Sequence, residues 1–223
     1  MNQNQTDAAP KNTARLLGAG MLALLAIAAL AYQWVQHQRG DVRPHLGAGE
    51  MLVEQTVQVL QSKEKKRIVL VTVQSPGPEL KAQEDGFLKK LKQYPELQLK
   101  EIIRIDPEDA RKYSPGTGLS ARRFARIVEN NLKAEAIVSL VGTPDPKDPA
   151  MLQLTNKVPR FVAVTRDRDE LPALFAKKWI RAAVVPRYDF PAPAADDARG
   201  LRAAFDRYFQ VVTTNEVASL PKP

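Results

Sequence analysis

Apolar positions change their spacing three times along this chain. Over residues 16–35 they are continuous, and LLGAGMLALLAIAALAYQWV carries no charge. At 1.5 Å per residue such a run is long enough to cross a hydrocarbon core. Tyr32 and Trp34 close it, as aromatics do at a membrane interface. Next, GEMLVEQTVQVLQSKEKK places Met51, Val53, Val57 and Leu60 at helical spacing, which predicts a short amphipathic helix. From residue 67 onward, short β-branched runs alternate with helical stripes to residue 210.

The alternation runs unit by unit. RIVLVTV (67–73) reads as a strand buried on both faces. ELKAQEDGFLKKLKQY (79–94) sets Leu80, Phe87, Leu88 and Leu91 on one helical stripe. LQLKEIIRI (97–105) is a second strand with partial alternation, and LSARRFARIVENNL (119–132) a helix with Phe124, Ile127, Val128 and Leu132 inward. EAIVSLVG (135–142), PRFVAVTR (159–166) and IRAAVVPR (180–187) are the third, fourth and fifth strands. Helices are expected over 148–157, over 169–179 and, last, over 196–210. Strands alternating with helices imply βαβ units. The fold class is therefore α/β: a flavodoxin-like, doubly wound, parallel five-stranded sheet in the order 2-1-3-4-5, preceded by one N-terminal transmembrane helix.

These patterns set the domain boundaries. Residues 1–15 are a polar tail and 16–35 the membrane span. Residues 36–62 are a juxtamembrane linker with Gly40 and Pro44 as breakers, continuing into the amphipathic helix. Residues 63–210 are the α/β domain, and 211–223 a C-terminal strap or tail. The rival for 16–35 is a cleavable signal peptide, with Lys11 and Arg15 as its basic region. The run lacks a helix-breaking end and stays apolar to Val35, which favours an uncleaved anchor. Basic residues flank the span on both sides. A short tail before a single span usually stays cytoplasmic, so the domain is expected in the periplasm, held at the bacterial inner membrane.

Composition removes several chemistries. The 223 residues include no cysteine and two histidines, so thiolate catalysis, disulfides and cysteine-ligated metals are excluded. His37 and His45 both fall in the expected linker, which leaves no Ser-His-Asp triad and no histidine metal site within the domain. In a doubly wound sheet, ligands bind at the carboxyl ends of the strands. There, QSPGPE (74–79) has one glycine and two prolines, too few donors for a P-loop or a dinucleotide fingerprint. The acidic pair and aspartate that would hold magnesium and accept phosphate are also missing. Acidic pairs such as Glu84/Asp85 and Asp196/Asp197 read as solvated helix faces. No catalytic residue, cofactor or metal is assigned. Gln74, Ser75, Thr143, Thr165 and Arg187 remain as candidate ligand contacts, against ordinary loop polarity as the plainer reading.

RIVLVTVQSP, EDGFLKKLKQYPELQL, ARIVENNLKAEAIVSLVG and NKVPRFVAVTR together resemble one lobe of the type I periplasmic sugar-binding proteins, the family shared with LacI-type regulators. The resemblance covers residues 66–187. It implies a non-enzymatic binding fold whose sugar lies in a cleft between two lobes. This chain departs from the pattern at Lys157, where the family has glycine before the fourth strand. It also lacks an aromatic stacking residue after the first strand, and it has length for one lobe.

The net charge of +8 points to anionic partners. Lys63, Lys65, Lys66, Lys89, Lys90, Lys92, Lys177 and Lys178 fall at the amino-end edge of the expected sheet. Helix-dipole preference explains such placement by itself. The functional reading is a basic edge facing lipid headgroups, where the chain would come in from the membrane. Arg122, Arg123 and Arg126 share one helix, but no helix-turn-helix or aromatic platform accompanies them, so nucleic acid is not an expected partner. The leading expectation is a membrane-anchored, non-enzymatic interaction or scaffold module of an envelope assembly, with membrane lipid and a protein as partners. The alternative is a sensor lobe for a small sugar- or nucleotide-like ligand.

Overall fold

The computed structural model describes residues 41–61, 64–106, 119–154, 158–187 and 200–219. The chain divides into two units, 1–41 and 42–223, and the second is the α/β domain. The expected span at 16–35 lies outside the described residues, and no helix among those described is long and apolar enough to cross a membrane. In chain order the domain comprises α1 (Arg43–Leu60), β1 (Lys66–Val73), α2 (Pro78–Leu91), β2 (Leu97–Ile105), α3 (Ala121–Asn130), β3 (Ala136–Ser139) and α4 (Pro149–Leu152). It continues with β4 (Arg160–Val164), α5 (Leu171–Ala176), β5 (Ile180–Pro186), α6 (Leu201–Tyr208), β6 (Phe209–Thr213) and a 3-10 turn, Val217–Ser219.

The sheet has six strands in the order β2-β1-β3-β4-β5-β6, with β1 to β5 parallel and β6 antiparallel to β5. The sequence pattern predicts five strands, one long last helix and a tail from 211. Instead the last helix ends at Tyr208, and the chain reverses into β6. FQVVT alternates and is β-branched, but the helical spacing of Leu201, Phe205 and Phe209 runs into it and masks the change of period.

β1 explains the layering. Val69, Val71 and Val73 point to one face, with Phe124, Ile127 and Val128 of α3, Met151 of α4, and Leu171, Leu174 and Phe175 of α5. Ile68 and Leu70 point to the other, with Leu52 and Val53 of α1, Phe87 of α2 and Phe205 of α6. Both faces are covered, so nearly every residue of the strand is buried. The partial alternation of β2 has a local cause. A register shift opposite Ile68/Val69 inserts one extra residue, Lys100, so that Leu99 and Ile102 join the apolar layer of α1, α2 and α6 while Ile103 and Ile105 join that of α3, α4 and α5. Leu132, expected inward, is 56% exposed because α3 ends at Asn130 and the helical period stops there.

α1 departs most from the expectation of a linker and a lead-in helix. It starts at Arg43, and Pro44 sits in its first turn, where a missing N–H costs nothing. It is a full member of one helical layer, with Ala48, Met51, Leu52 and Val53 buried. Its contact with α2 is backbone to backbone. A Cβ on Gly49 would lie 2.0 Å from the Gln83 carbonyl oxygen, and one on Gly86 would lie 2.1 Å from that of Leu46. Neither obstacle is the mobile end of a side chain, so the two helices must separate to admit a methyl group. Replacing Gly49 or Gly86 with alanine is expected to cost about 2 kcal/mol, with overpacking outweighing the gain in helix propensity. Thermal denaturation should show a Tm lowered by roughly 4–8 °C; an unchanged or higher Tm would contradict the close packing.

Candidate functional site

The strand carboxyl ends gather five connections, of which 107–118 and 188–199 lie outside the described residues. Of the expected ligand contacts, Gln74 and Ser75 are exposed at the end of β1. Thr143 and Thr165 are buried and face each other, with their Oγ1 atoms 3.4 Å apart. The Thr165 hydroxyl also accepts from the Asp167 N–H at 3.2 Å. These two threonines brace the loops after β3 and β4. Arg187 is turned toward β6, where its Nε donates to the Phe209 carbonyl at 2.9 Å and its backbone N–H to that of Tyr208 at 2.8 Å. The structure thus brings the two threonines together and holds Arg187 on the antiparallel edge.

A second set of side chains assembles here that the sequence pattern places elsewhere. His45, expected in a juxtamembrane linker, lies in the first turn of α1 within the domain. Its Nδ1 is 3.1 Å from Gln83 Nε2, its Nε2 is 3.8 Å from Glu79 Oε2, and its ring meets the edge of Phe209 at 5.3 Å. Arg166, after β4, donates to the same Glu79 oxygen at 3.2 Å. Glu79 therefore joins α1, the start of α2 and the β4 loop. Helical spacing extended back from Met51 through Ala48 would have enclosed His45; Pro44, read as a breaker, hid that signal.

Glu84, read as part of a solvated face, is buried at 4% side-chain exposure. Arg104 of β2 grips it with two bonds, Nη2 to Oε1 at 2.6 Å and Nη1 to Oε2 at 3.2 Å. Thr72 of β1 adds a hydroxyl 3.4 Å from Oε2. A carboxylate at this depth persists because a planar guanidinium matches both its oxygens. Asp196 and Asp197 lie outside the described residues.

The loops after β3 and β4 carry Asp145, Asp167, Asp169 and Glu170. Burial raises the Glu170 carboxyl to about 7, and Asp167 and Asp145 push it the same way against Lys147. No hydrogen bond reaches its Oε2 among the described residues. Nor, among those residues, is any group of three acidic or histidine side chains arranged to hold a metal ion.

α1 begins at this edge, since His45 meets both Glu79, just beyond β1, and Phe209, which pairs with Pro186 at the end of β5. The chain therefore comes into the domain at the carboxyl edge, not at the basic amino edge as expected. The lysines of that amino edge are also partly engaged. Lys66 pairs with Glu64 at 3.4 Å and Lys90 with Glu54 at 2.9 Å, and Lys177 reaches the Pro146 carbonyl at 2.9 Å and lies over the Trp179 ring. Lys65, Lys89, Lys92 and Lys178 are exposed, and Lys63 lies outside the described residues.

No protein-family model and no curated protein matches the sequence. Solved structures do match in fold. An ABC-transporter solute-binding protein from Burkholderia graminis, in complex with D-arabinose, is 17% identical with a TM-score of 0.53, covering 80% of this chain and 62% of its own. An arabinose-binding protein from Geobacillus stearothermophilus is 13% identical with a TM-score of 0.53, covering 80% and 63%. A sugar-binding protein of a sugar ABC transporter from Bacillus halodurans is 12% identical with a TM-score of 0.54, covering 78% and 63%. The likeness is one of fold, and this chain spans about three-fifths of the length of those proteins.

The Glu170 shift has a direction in pH. Its carboxyl ionises near 4.5 when unfolded and about 7 when folded, so between those values the folded state holds more of the proton. Stability should fall as pH rises through that window and level off above it. In Glu170→Gln, thermal melts between pH 4.5 and 8 should show a shallower decline than the parent. Equal slopes would place the buried proton elsewhere.

Proposed function

We propose that residues 42–223 form a non-enzymatic binding lobe for a small polyhydroxylated ligand of the sugar class, received at the carboxyl edge of the sheet. The likeness in fold to a solute-binding protein solved with D-arabinose carries this reading. The edge supplies suitable chemistry. Gln74 and Ser75 are exposed beside Glu79 and Arg166, an amide, a hydroxyl, a carboxylate and a guanidinium. Carboxylate and guanidinium groups recognise vicinal hydroxyls through paired charge-assisted bonds. In this reading Thr143 and Thr165 hold the β3 and β4 loops in place, and Arg187 holds β6.

The sugar-binding resemblance implies a second lobe closing over the ligand, and 42–223 supplies one. A protein partner covering the same edge is the second reading, favoured by the exposed polar side chains there, Gln74, Ser75, Glu79 and Arg166. Anchoring at the bacterial inner membrane with the domain in the periplasm belongs to this proposal and rests on the apolar run at 16–35.

Thermal-shift measurements on the full chain in mild detergent, with D-arabinose, D-tagatose and other monosaccharides, test the ligand reading. A sugar present at about 100 times its Kd stabilises by about 2.7 kcal/mol, which raises Tm by roughly 5–10 °C. The double variant Gln74→Ala/Arg166→Ala should lose that rise. A flat Tm across the whole sugar panel would abandon the sugar lobe in favour of the interaction module.

A further inference from the structure

α3 carries a charge pattern that the carboxyl-edge reading does not use. Open hollows lie on both of its flanks. One, of about 760 Å³, runs between α3 and α4 and includes Arg122, Arg123, Arg126 and Gln153 in its wall. The other, of about 280 Å³, runs between α3 and the edge strand β2, and shares Arg123 and Arg126 with the first. Among the described residues, Arg122 and Arg126 have no hydrogen-bond or ion-pair partner, whereas Arg123 does have one. Two guanidinium groups without a partner among the described residues are thus held on one helix beside an accessible groove.

We propose that this groove receives an extended acidic peptide segment of a partner protein, with Arg122 and Arg126 as its carboxylate clamps. Residues four apart on a helix stand about 6 Å apart. Alternate side chains of an extended strand recur at about 6.6–7 Å on one side, so two acidic residues two apart meet both guanidinium groups. Ala125, Ala150 and Leu154 give the groove a low apolar floor that leaves room for a backbone. The Asp148 carboxylate is turned away to cap α4, accepting from the Ala150 N–H at 2.8 Å, which leaves the arginines the dominant charges at that end.

The same groove is poorly suited to nucleic acid. Glu129 interrupts it and would repel a continuous polyanion, and no aromatic ring is among its described lining residues for a base to stack on. A peptide carrying two spaced carboxylates avoids both problems.

The test is fluorescence anisotropy with the full chain in mild detergent and a labelled peptide of about ten residues, serine and glycine throughout except for two glutamates two residues apart. Arg122→Gln/Arg126→Gln should weaken binding roughly tenfold or more, since two charge-assisted contacts are lost. A control, Lys89→Gln/Lys92→Gln at the amino edge, should bind as the parent does. Because neither arginine has a partner among the described residues, the arginine variant should keep the parent Tm, so that loss of binding is separable from loss of structure. Three results would overturn the proposal: unchanged binding in the arginine variant, an equal loss in the lysine control, or tighter binding of an oligothymidylate than of the peptide. Sugar-dependent shifts in Tm are read separately, so this clamp and the carboxyl-edge site stand or fall independently.

Discussion

The close approach of α1 to α2 is the constraint on which the rest of this domain depends. Backbone carbonyls of Gln83 and Leu46 occupy the space that side chains at Gly49 and Gly86 would need. Gly47 allows a similar approach to α6, where a Cβ would lie 2.8 Å from the Leu201 carbonyl. With the helices this near, Leu52 and Val53 reach the sheet beside Phe87 and Phe205. Dispersion and burial then act over a dry layer, where small separations forfeit much of the attraction.

That packing sets the polar groups at the carboxyl edge. α1 brings His45 against Gln83 and Glu79, and α2 buries Glu84 where Arg104 and Thr72 can reach it. A buried carboxylate such as Glu84 is costly unless satisfied, so its contacts also fix α2 in register with β1 and β2. The same arrangement delivers the chain to the carboxyl edge. The lysine edge lies at the opposite end of the strands, and Lys90, Lys66 and Lys177 of that edge are engaged by Glu54, Glu64 and the Pro146 carbonyl. Net charge alone says nothing about which face meets a partner. Two arginines that lack partners among the described residues, Arg122 and Arg126, sit on α3 instead.

The candidate site is legible in the sequence only in part. Gln74 and Ser75 follow directly from a strand that ends in a proline-punctuated loop, and both are exposed where the βα alternation puts them. Thr143 and Thr165 stand at the strand ends that the alternation predicts, but no spacing rule says that two hydroxyls 22 residues apart will bury against each other. Glu84 belongs to a run of charged residues that reads as solvated. Its burial depends on Arg104, which β2 brings across from another unit of the fold.

By itself the sequence determined what is local. Continuous β-branched runs mark strands covered on both faces, helical stripes mark the helices between them, and the absence of cysteine removes thiol chemistry. Tertiary structure decided what depends on distant partners. The helical period runs unbroken from α6 into Phe209, yet β5 offers backbone groups that turn the chain into an antiparallel strand. Pro44 reads as a breaker, yet it opens a helix whose place is secured by glycines on two elements far apart in sequence. Local patterns record how a segment can bury its own apolar face. Which segments meet, and which charges are buried or left exposed as a result, is settled by packing between segments that no local pattern contains.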